Sequence, residues 1–291
     1  TAVGTGWEIL NRPHPGLSFR LLLPLPNRRN NPVYGDKQEV SSVEMSPDKD
    51  SITFMWDTVE SEYGGKHDIK VTTTIRICGP RVIFSIHLEN NSDCTIENVY
   101  YPYLGDVQKP TSETWFKTFI YHYAAADEWS LWPQFDSFYG DWGVDYPTQF
   151  ARWSPGSGAP MAPFCLLRGE RQGVYVGVDE ASSELVTWHT ELRPGYSCSM
   201  VSRVPETASM SGRDVATRFA AVHLPYVLPG ESRSLTPIAL QPFIGGWQRG
   251  VDIYKEWRSS WMNLPSIPRW AREPHSWQQV HINSPEDELR V

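Results

Sequence analysis

The chain has 291 residues, which is enough for one large β domain or two small ones. Its formal net charge is −8, and its 26 Lys and Arg residues are scattered along the sequence. We therefore expect no nucleic-acid partner, because phosphate binding needs a concentrated basic surface. No apolar run approaches the ~20 residues that span a bilayer, so we expect no membrane partner either.

Strand-like patterns dominate the first part of the chain. Short apolar runs separated by clusters of Pro, Gly and Asn predict strands at residues 8–10, 18–23 and 51–56. Residues 68–78 place an apolar residue or Thr at every second position, and residues 81–89 repeat this alternation after a Gly-Pro turn. These two segments are predicted to pair as an antiparallel hairpin.

Further strands are predicted along the chain by the same pattern. They lie at residues 95–101, 164–168, 173–179, 183–192, 197–204, 216–222 and 234–242. So many short strands with frequent turns favour an antiparallel sandwich or barrel over βαβ units. The predicted fold class is therefore all-β and antiparallel.

One segment near the end of the chain has helical periodicity. Its aromatic and apolar residues recur at steps of three and four, at Trp247, Val251, Tyr254, Trp257 and Trp261. We expect a helix that packs against the core through this face. The following residues are rich in proline and lack periodicity, which predicts an extended linker. The chain ends soon after this linker, so we expect it to be part of a longer protein.

Cysteine spacing bears on metal and redox chemistry. The four cysteines are far apart in sequence and form no CxxC pair: Cys78, Cys94, Cys165 and Cys198. We therefore expect no zinc site and no other cofactor. Two disulfide bonds and four free thiols both remain possible interpretations. The sequence leaves secreted and cytoplasmic locations equally open.

The densest mixture of aromatic and acidic residues lies in residues 122–153, which show little strand or helix periodicity. A long irregular loop in a compact β domain is usually functional. Indole rings can stack on the C–H faces of a sugar, and carboxylates can accept hydrogen bonds from its hydroxyls. The predicted sugar-binding residues are Trp129, Trp132, Tyr139, Asp141, Trp142 and Asp145. The alternative interpretation of this loop is a docking surface.

No catalytic residue is assigned with any specificity. A glycosidase needs two carboxylates ~5 to 9.5 Å apart across the scissile bond, and the acids of residues 122–153 offer too many combinations. An aldose epimerase would instead need a general acid and a general base. The candidates for that chemistry are His189 and Glu191, which alternate on one predicted strand, and His122.

Three segments together resemble a known family. They are a strand–Asn-turn–strand at residues 82–104, the strand Gly-Val-Tyr-Val-Gly-Val-Asp at residues 173–179, and the helix from Gly246-Trp247 to Trp257 with its Leu-Pro linker. In this order and spacing they resemble the galactose-mutarotase-like β-supersandwich domain of multidomain glycoside hydrolases. Those enzymes are related to α-galactosidases, α-glucosidases and endo-α-N-acetylgalactosaminidases.

The resemblance implies a large antiparallel β-supersandwich over residues 1–245, a packing helix over 246–263 and a linker over 264–291. The linker would lead to a (β/α)₈ catalytic barrel that carries the catalytic carboxylates. The chain would then be a non-catalytic, carbohydrate-facing module that supports and completes the sugar pocket of that barrel. Two alternatives remain: a free-standing aldose epimerase and an independent lectin-like module. The chain departs from free-standing epimerases because their His pair and distal Glu are not found in order.

Overall fold

The computed structural model describes residues 6–10, 16–105, 107–122, 125–127, 130–132, 162–193, 216–263 and 266–273. Helix α1 spans Trp247–Trp261 and α2 spans Arg269–Arg272. The strands are β1 Gly16–Leu22, β2 Pro32–Tyr34, β3 Ser42–Met45, β4 Ser51–Trp56, β5 Val59–Ser61, β6 Gly65–His67, β7 Ile69–Cys78, β8 Arg81–Asn90, β9 Asn98–Leu104, β10 Phe116–His122, β11 Ala125–Asp127, β12 Ser130–Trp132, β13 Phe164–Arg168, β14 Gln172–Val178, β15 Val186–Arg193, β16 Ala216–His223, β17 Ser232–Ser234 and β18 Ile238–Ile244.

Within the described residues, the strands form two large sheets and a small hairpin. The smaller of the large sheets has the order β15-β16-β9-β1-β2. The larger has the order β11-β10-β13-β14-β18-β8-β7-β4-β3, with β12 added on β10 and β17 added on β8. The pairings are antiparallel. The predicted all-β antiparallel class is therefore confirmed.

The hairpin of β7 and β8 has the register that its alternation predicts. The two strands pair from Ile69 opposite Asn90 to Cys78 opposite Arg81. The turn between them contains Gly79 at φ 58°, a left-handed conformation that glycine adopts at low cost. Because side chains alternate between the two faces of a strand, one face of the hairpin joins the core and the other stays polar.

The core lies between the inner faces of the two large sheets. Its largest side chain is Trp188 of β15, which is fully buried and stacks on Phe219 of β16 at a centroid distance of 6.2 Å. Phe19 of β1 meets Trp56 of β4 edge to face at 4.9 Å, so this pair joins the two sheets. Aromatic pairs of this kind add ~0.5–1.5 kcal/mol to the stabilisation from area burial.

Helix α1 packs on the outer face of the larger sheet, away from the central core. Tyr254 stacks on Phe164 of β13 at 4.7 Å, and Trp247 stacks on Phe119 of β10 at 5.3 Å. Ile253 is buried in the same apolar cluster. The helix therefore covers only one part of this face, over β10, β13, β14 and β18.

Several expected element boundaries are wrong. No strand forms at residues 8–10, where Leu10 makes only an isolated bridge to Val107. The strand expected at 95–101 is shifted towards the C-terminus. Its ladders with β1 and β16 run through Leu104, and its first residue is Asn98. The strand expected at 234–242 is divided into β17 and β18. The strand expected at 197–204 lies outside the described residues.

The aromatic segment also differs from its expected irregularity at its beginning. Strands β11 and β12, which start this segment, both pair with β10, and His122 is the last residue of β10. Each of these strands has only three residues, which is too few to show alternation of apolar and polar residues in the sequence. Helix α2 likewise replaces part of the expected extended linker.

Three cysteines, Cys78, Cys94 and Cys165, are free thiols. With three of the four cysteines free, a pair of disulfide bonds is excluded. Among the helices in the described ranges, none is long and apolar enough to cross a membrane.

Candidate functional site

The outer face of the larger sheet is polar where α1 does not cover it. The core-facing residues of β7 and β8 alternate with Thr72, Thr74, Ser85 and His87. The register places Thr72 opposite His87 and Thr74 opposite Ser85, so four hydrogen-bonding side chains form a continuous patch. We call this patch the polar floor.

A cavity of about 530 Å³ lies over the polar floor. One wall comes from the loop after β14, including Glu180, Ser183 and Glu184, and the other from β17 and the residues that follow it. Cavities of this size are typical of small-molecule sites. The lining consists mainly of hydroxyl, imidazole and carboxylate groups, which suits a ligand with many hydrogen-bonding groups.

His87 is held in this cavity by two serines. Its Nδ1 lies 2.8 Å from Ser234 Oγ, and its Nε2 lies 3.0 Å from Ser232 Oγ. A hydroxyl can donate or accept, so both neutral tautomers of the ring are satisfied. No hydrogen bond in the described part of the chain joins this ring to a carboxylate, so the contacts orient it without activating it as a base.

A second cavity, of about 350 Å³, lies between α1 and the same face of the sheet. Gln241 of β18 and Tyr175 of β14 contribute to its lining, and Trp257 of α1 forms part of the opposite side. Asp179 and Arg81 also line it and form an ion pair. Because Asp179 lines this cavity and the next residue lines the first one, the two cavities are neighbours.

The carboxyl group of Asp179 is partly desolvated in this position. Burial raises its pKa above the ordinary value, although the positive charges of Arg81 and Arg76 act in the opposite direction. Arg81 thus compensates for the cost of keeping a carboxylate in the second cavity. An ionised carboxylate there can accept hydrogen bonds from ligand hydroxyls.

A buried ion pair supports the wall of the first cavity. His223 Nδ1 lies 3.3 Å from Glu184 Oε1, and His223 Nε2 lies 3.3 Å from the carbonyl oxygen of Tyr101. Both partners can accept hydrogen bonds from the two ring nitrogens. Glu184 Oε2 also accepts a hydrogen bond of 2.7 Å from the backbone N–H of Thr236.

These contacts decide the ionisation of Glu184. Burial by itself raises the pKa of this carboxyl, but the hydrogen bond and charge of His223, together with the hydrogen bonds of Thr236, outweigh burial and lower the pKa to about 2. Glu184 is therefore a carboxylate at neutral pH. It connects the loop after β14 to β16 and to the start of β18.

A separate polar and aromatic cluster lies on the outer face of the smaller sheet. His189 of β15 meets Tyr100 and Tyr103 of β9 edge to face at 5.3 and 6.0 Å. The guanidinium of Arg20 lies 4.9 Å from the ring centroid of Tyr100, a cation–π contact. All four side chains are buried. Small Ala220 lies between His189 and Tyr103 in the strand register, which gives the imidazole room to reach the tyrosines.

The site residues predicted from the sequence do not come together in one site within the described residues. His189 is fully buried in the cluster just described, and it lines neither cavity on the larger sheet. Glu191 lies in the ladder of β15, His122 in that of β10 and Trp132 in that of β12. The other predicted sugar-binding residues lie outside the described residues: Trp129, Tyr139, Asp141, Trp142 and Asp145.

The residues of the polar floor were missed by sequence reasoning. Their signal is the polar half of the alternation in residues 69–90, whose apolar half predicted the hairpin. A strand with Thr, Ser and His on its solvent-facing side is common in any antiparallel sheet. Only the walls around this face distinguish it as a site, and those walls come from residues about 100 to 160 positions further along the chain.

Comparison with known proteins leaves the chain without an assigned family. No protein-family model matches it, and no curated protein matches it. Solved structures with distant similarity include the GH36 α-galactosidase AgaA from Geobacillus stearothermophilus, at 12% identity and a TM-score of 0.39. The alignment covers 81% of this chain and 32% of AgaA, so the chain spans about a third of the length of that enzyme.

Two other solved structures have similarly low scores. A TPR-domain containing protein from Parabacteroides distasonis is 10% identical with a TM-score of 0.38, over 90% of this chain and 44% of that protein. A putative aldose 1-epimerase from Escherichia coli K12 is 16% identical with a TM-score of 0.33, over 72% and 70% of the two chains.

Proposed function

We propose that this chain is a carbohydrate-binding β-sandwich module of a glycoside hydrolase, whose catalytic carboxylates lie in a (β/α)₈ barrel outside this sequence. The observation that carries the binding part is the polar outer face of the larger sheet, with two adjoining cavities. The link to a barrel enzyme comes from the resemblance of residues 82–104, 173–179 and 246–257 to supersandwich domains.

The chemistry of the two cavities favours a neutral, polyhydroxylated ligand. The polar floor offers hydroxyl groups and an imidazole, which exchange hydrogen bonds with sugar hydroxyls in either direction. Carboxylates of Asp179, Glu180 and Glu256 can accept further hydrogen bonds, and they disfavour an anionic ligand such as a phosphate. The indole of Trp257 supplies the apolar surface on which the C–H face of a sugar ring can stack.

The first test is titration of the chain with neutral oligosaccharides, including raffinose, stachyose and maltotriose, by calorimetry. We expect Trp257→Ala to weaken binding by about tenfold, a loss of about 1.4 kcal/mol. The double variant Thr74→Val, Ser85→Ala should weaken binding similarly, because it removes both hydroxyl groups. Valine keeps the β-branched shape of threonine, and alanine keeps the small size of serine. The matched control is Trp270→Ala, which removes an indole that is 78% exposed and lines neither cavity.

The same titration separates this site from the aromatic segment of residues 122–153. If Trp129→Ala or Trp142→Ala abolishes binding while Trp257→Ala leaves it unchanged, the sugar site lies in that segment and the two-cavity proposal is wrong. If no oligosaccharide binds at millimolar concentration, the binding function itself is contradicted.

The non-catalytic role needs an independent assay. We expect negligible hydrolysis of aryl α-glycosides by this chain alone, and robust turnover would overturn the proposal. The competing epimerase function predicts accelerated interconversion of α- and β-aldoses, which NMR exchange detects. Loss of that exchange in His189→Gln or His122→Gln would then identify the acid–base residues.

A further inference from the structure

The topology brings three potential metal ligands together at one end of the β7–β8 hairpin. The ladder ends with Ile69 opposite Asn90, and the backbone N–H of Asn91 donates to the carbonyl oxygen of Asp68. Residues just before β7 and just after β8 are therefore neighbours. His67 ends β6 on one side, and Asp93 and Cys94 lie in the turn after β8 on the other.

The three side chains offer ligand atoms that all lie within 4.8 Å of one another. The thiol of Cys94 donates a hydrogen bond of 3.5 Å to Asp93 Oδ1, and zinc binding would release this thiol proton. For a tetrahedral zinc ion, bond lengths of ~2.3 Å to sulfur and ~2.0 Å to oxygen place these two atoms about 3.5 Å apart. The separation therefore fits two ligands of one zinc ion.

A second layer of hydrogen bonds fixes the imidazole. His67 Nε2 lies 2.8 Å from Ser61 Oγ, which also accepts hydrogen bonds from Asn31 Nδ2 and from the backbone N–H of Gly64, each at 3.0 Å. A Cβ on Gly64 would lie 2.7 Å from Ser61 Oγ, so glycine permits this close approach. Since Ser61 Oγ accepts from these two donors, its own hydroxyl donates to Nε2, and the neutral ring carries its proton on Nδ1. An ion bound at Nδ1 would shift that proton to Nε2, which would then donate to Ser61 Oγ, as the second nitrogen of metal-binding histidines usually does.

The turn that carries the other two ligands is equally well fixed. The buried side chain of Asn90 donates to the carbonyl oxygen of Cys94 at 2.8 Å and to that of Val227 at 3.1 Å. Asn90 Oδ1 accepts from Ser92, whose hydroxyl in turn accepts from the backbone N–H of Cys94 at 3.2 Å. The thiol is thus held in place without any metal.

We propose that His67, Asp93 and Cys94 form a zinc site that fastens the β5–β6 hairpin to the turn between β8 and β9. Thiolate, imidazole and carboxylate are the ligand types that zinc takes in proteins, and three of them leave the fourth tetrahedral position for water. The β5–β6 hairpin is a separate sheet with only a short ladder of its own, and zinc binding would join it to the turn after β8.

The test uses the full chain, dialysed against a chelator and then titrated with zinc chloride by calorimetry and with cobalt chloride by absorption spectroscopy. We expect a thiolate-to-cobalt charge-transfer band in the wild-type chain and its loss in Cys94→Ser. Asp93→Asn should keep the band but weaken zinc binding by at least about tenfold. Cys78→Ser is the control, since it removes an exposed free thiol on the other end of β7 and should change neither readout.

Thermal unfolding supplies a readout that does not depend on the spectrum. At a zinc concentration 100 times Kd, the midpoint of the wild-type chain should rise by at least about 5 °C, and that of Cys94→Ser should not rise. Circular dichroism before the titration establishes that each variant is folded. The site is refuted if Cys94→Ser binds zinc as tightly as the wild type, or if cobalt gives no thiolate band in the wild type.

Discussion

Replacing Glu184 by Gln is expected to lower the free energy of unfolding at pH 7 by about 3 kcal/mol. The substitution keeps the size of the side chain but removes the carboxylate that pairs with the buried imidazole of His223. His223 is fully buried, and the side chain of Glu184 is only 10% exposed. Removing one partner of a buried pair costs much more than the pair itself contributes, because the remaining charge stays desolvated.

The same variant should alter how stability depends on pH. The folded-state pKa of Glu184 is about 2, below the ordinary value of 4.5 that applies in the unfolded chain. A depressed carboxyl pKa contributes stability that is fully present above the unfolded pKa and is lost as pH falls through the folded one. Between about pH 5 and pH 2, the wild type should therefore lose about 3 kcal/mol more than Glu184→Gln.

Urea unfolding at a series of pH values measures both effects. The matched control is Glu180→Gln, which removes an exposed carboxylate from the wall of the same cavity. That variant should stay within about 0.5 kcal/mol of the wild type at neutral pH. If Glu184→Gln and Glu180→Gln behave alike at pH 7 and in acid, the buried pair does not stabilise the fold.

Truncating Trp188 to Ala should cost about 3–5 kcal/mol of stability. Trp188 is the largest fully buried side chain, and its ring stacks on Phe219 at an interplanar angle of 18°. The indole lies in the main core cluster, so its truncation leaves a cavity there. The lost transfer free energy of the indole and the cost of the cavity both lower the free energy of unfolding.

Trp188→Phe separates volume from ring chemistry. Within the described ranges of the chain, Trp188 Nε1 is buried without a hydrogen-bond partner, so replacing the indole by a phenyl ring removes that donor while it reduces volume. We expect a net cost of about 1 kcal/mol for this variant. Denaturant unfolding followed by far-ultraviolet circular dichroism avoids the change in fluorescence. A cost for Trp188→Ala no greater than that for Trp188→Phe would contradict the cavity argument.

Strands were predictable wherever one face is buried and the other solvated. Residues 69–78 and 84–89 alternate, and β4 and β13 have the bounds that their apolar runs predict. Strand β9 was shifted because all seven of its residues are buried, which removes the period-two signal. Strands of three residues, such as β5 and β6, bury too few side chains to produce any pattern.

The candidate sites depend on contacts that no local pattern contains. Thr74 and Ser85 become part of a cavity only because the loop around Glu180 lies over them. His189 has the alternation expected of an accessible strand residue, yet tyrosines from another strand surround it. The spacing of the cysteines contains no sign of the His67–Asp93–Cys94 cluster, since His67 and Cys94 become neighbours only when β7 and β8 pair.

The sequence by itself determined the antiparallel all-β class, the β7–β8 hairpin and the aromatic helix, because each follows from the periodicity of adjacent residues. The tertiary structure decided which face of the larger sheet stays open, which histidine is buried and which ligands meet beside Cys94. Burial and proximity depend on what packs against a residue from distant parts of the chain. The helix shows both contributions: its aromatic stripe is local, but only the position of β13 and β14 places Trp257 beside a cavity.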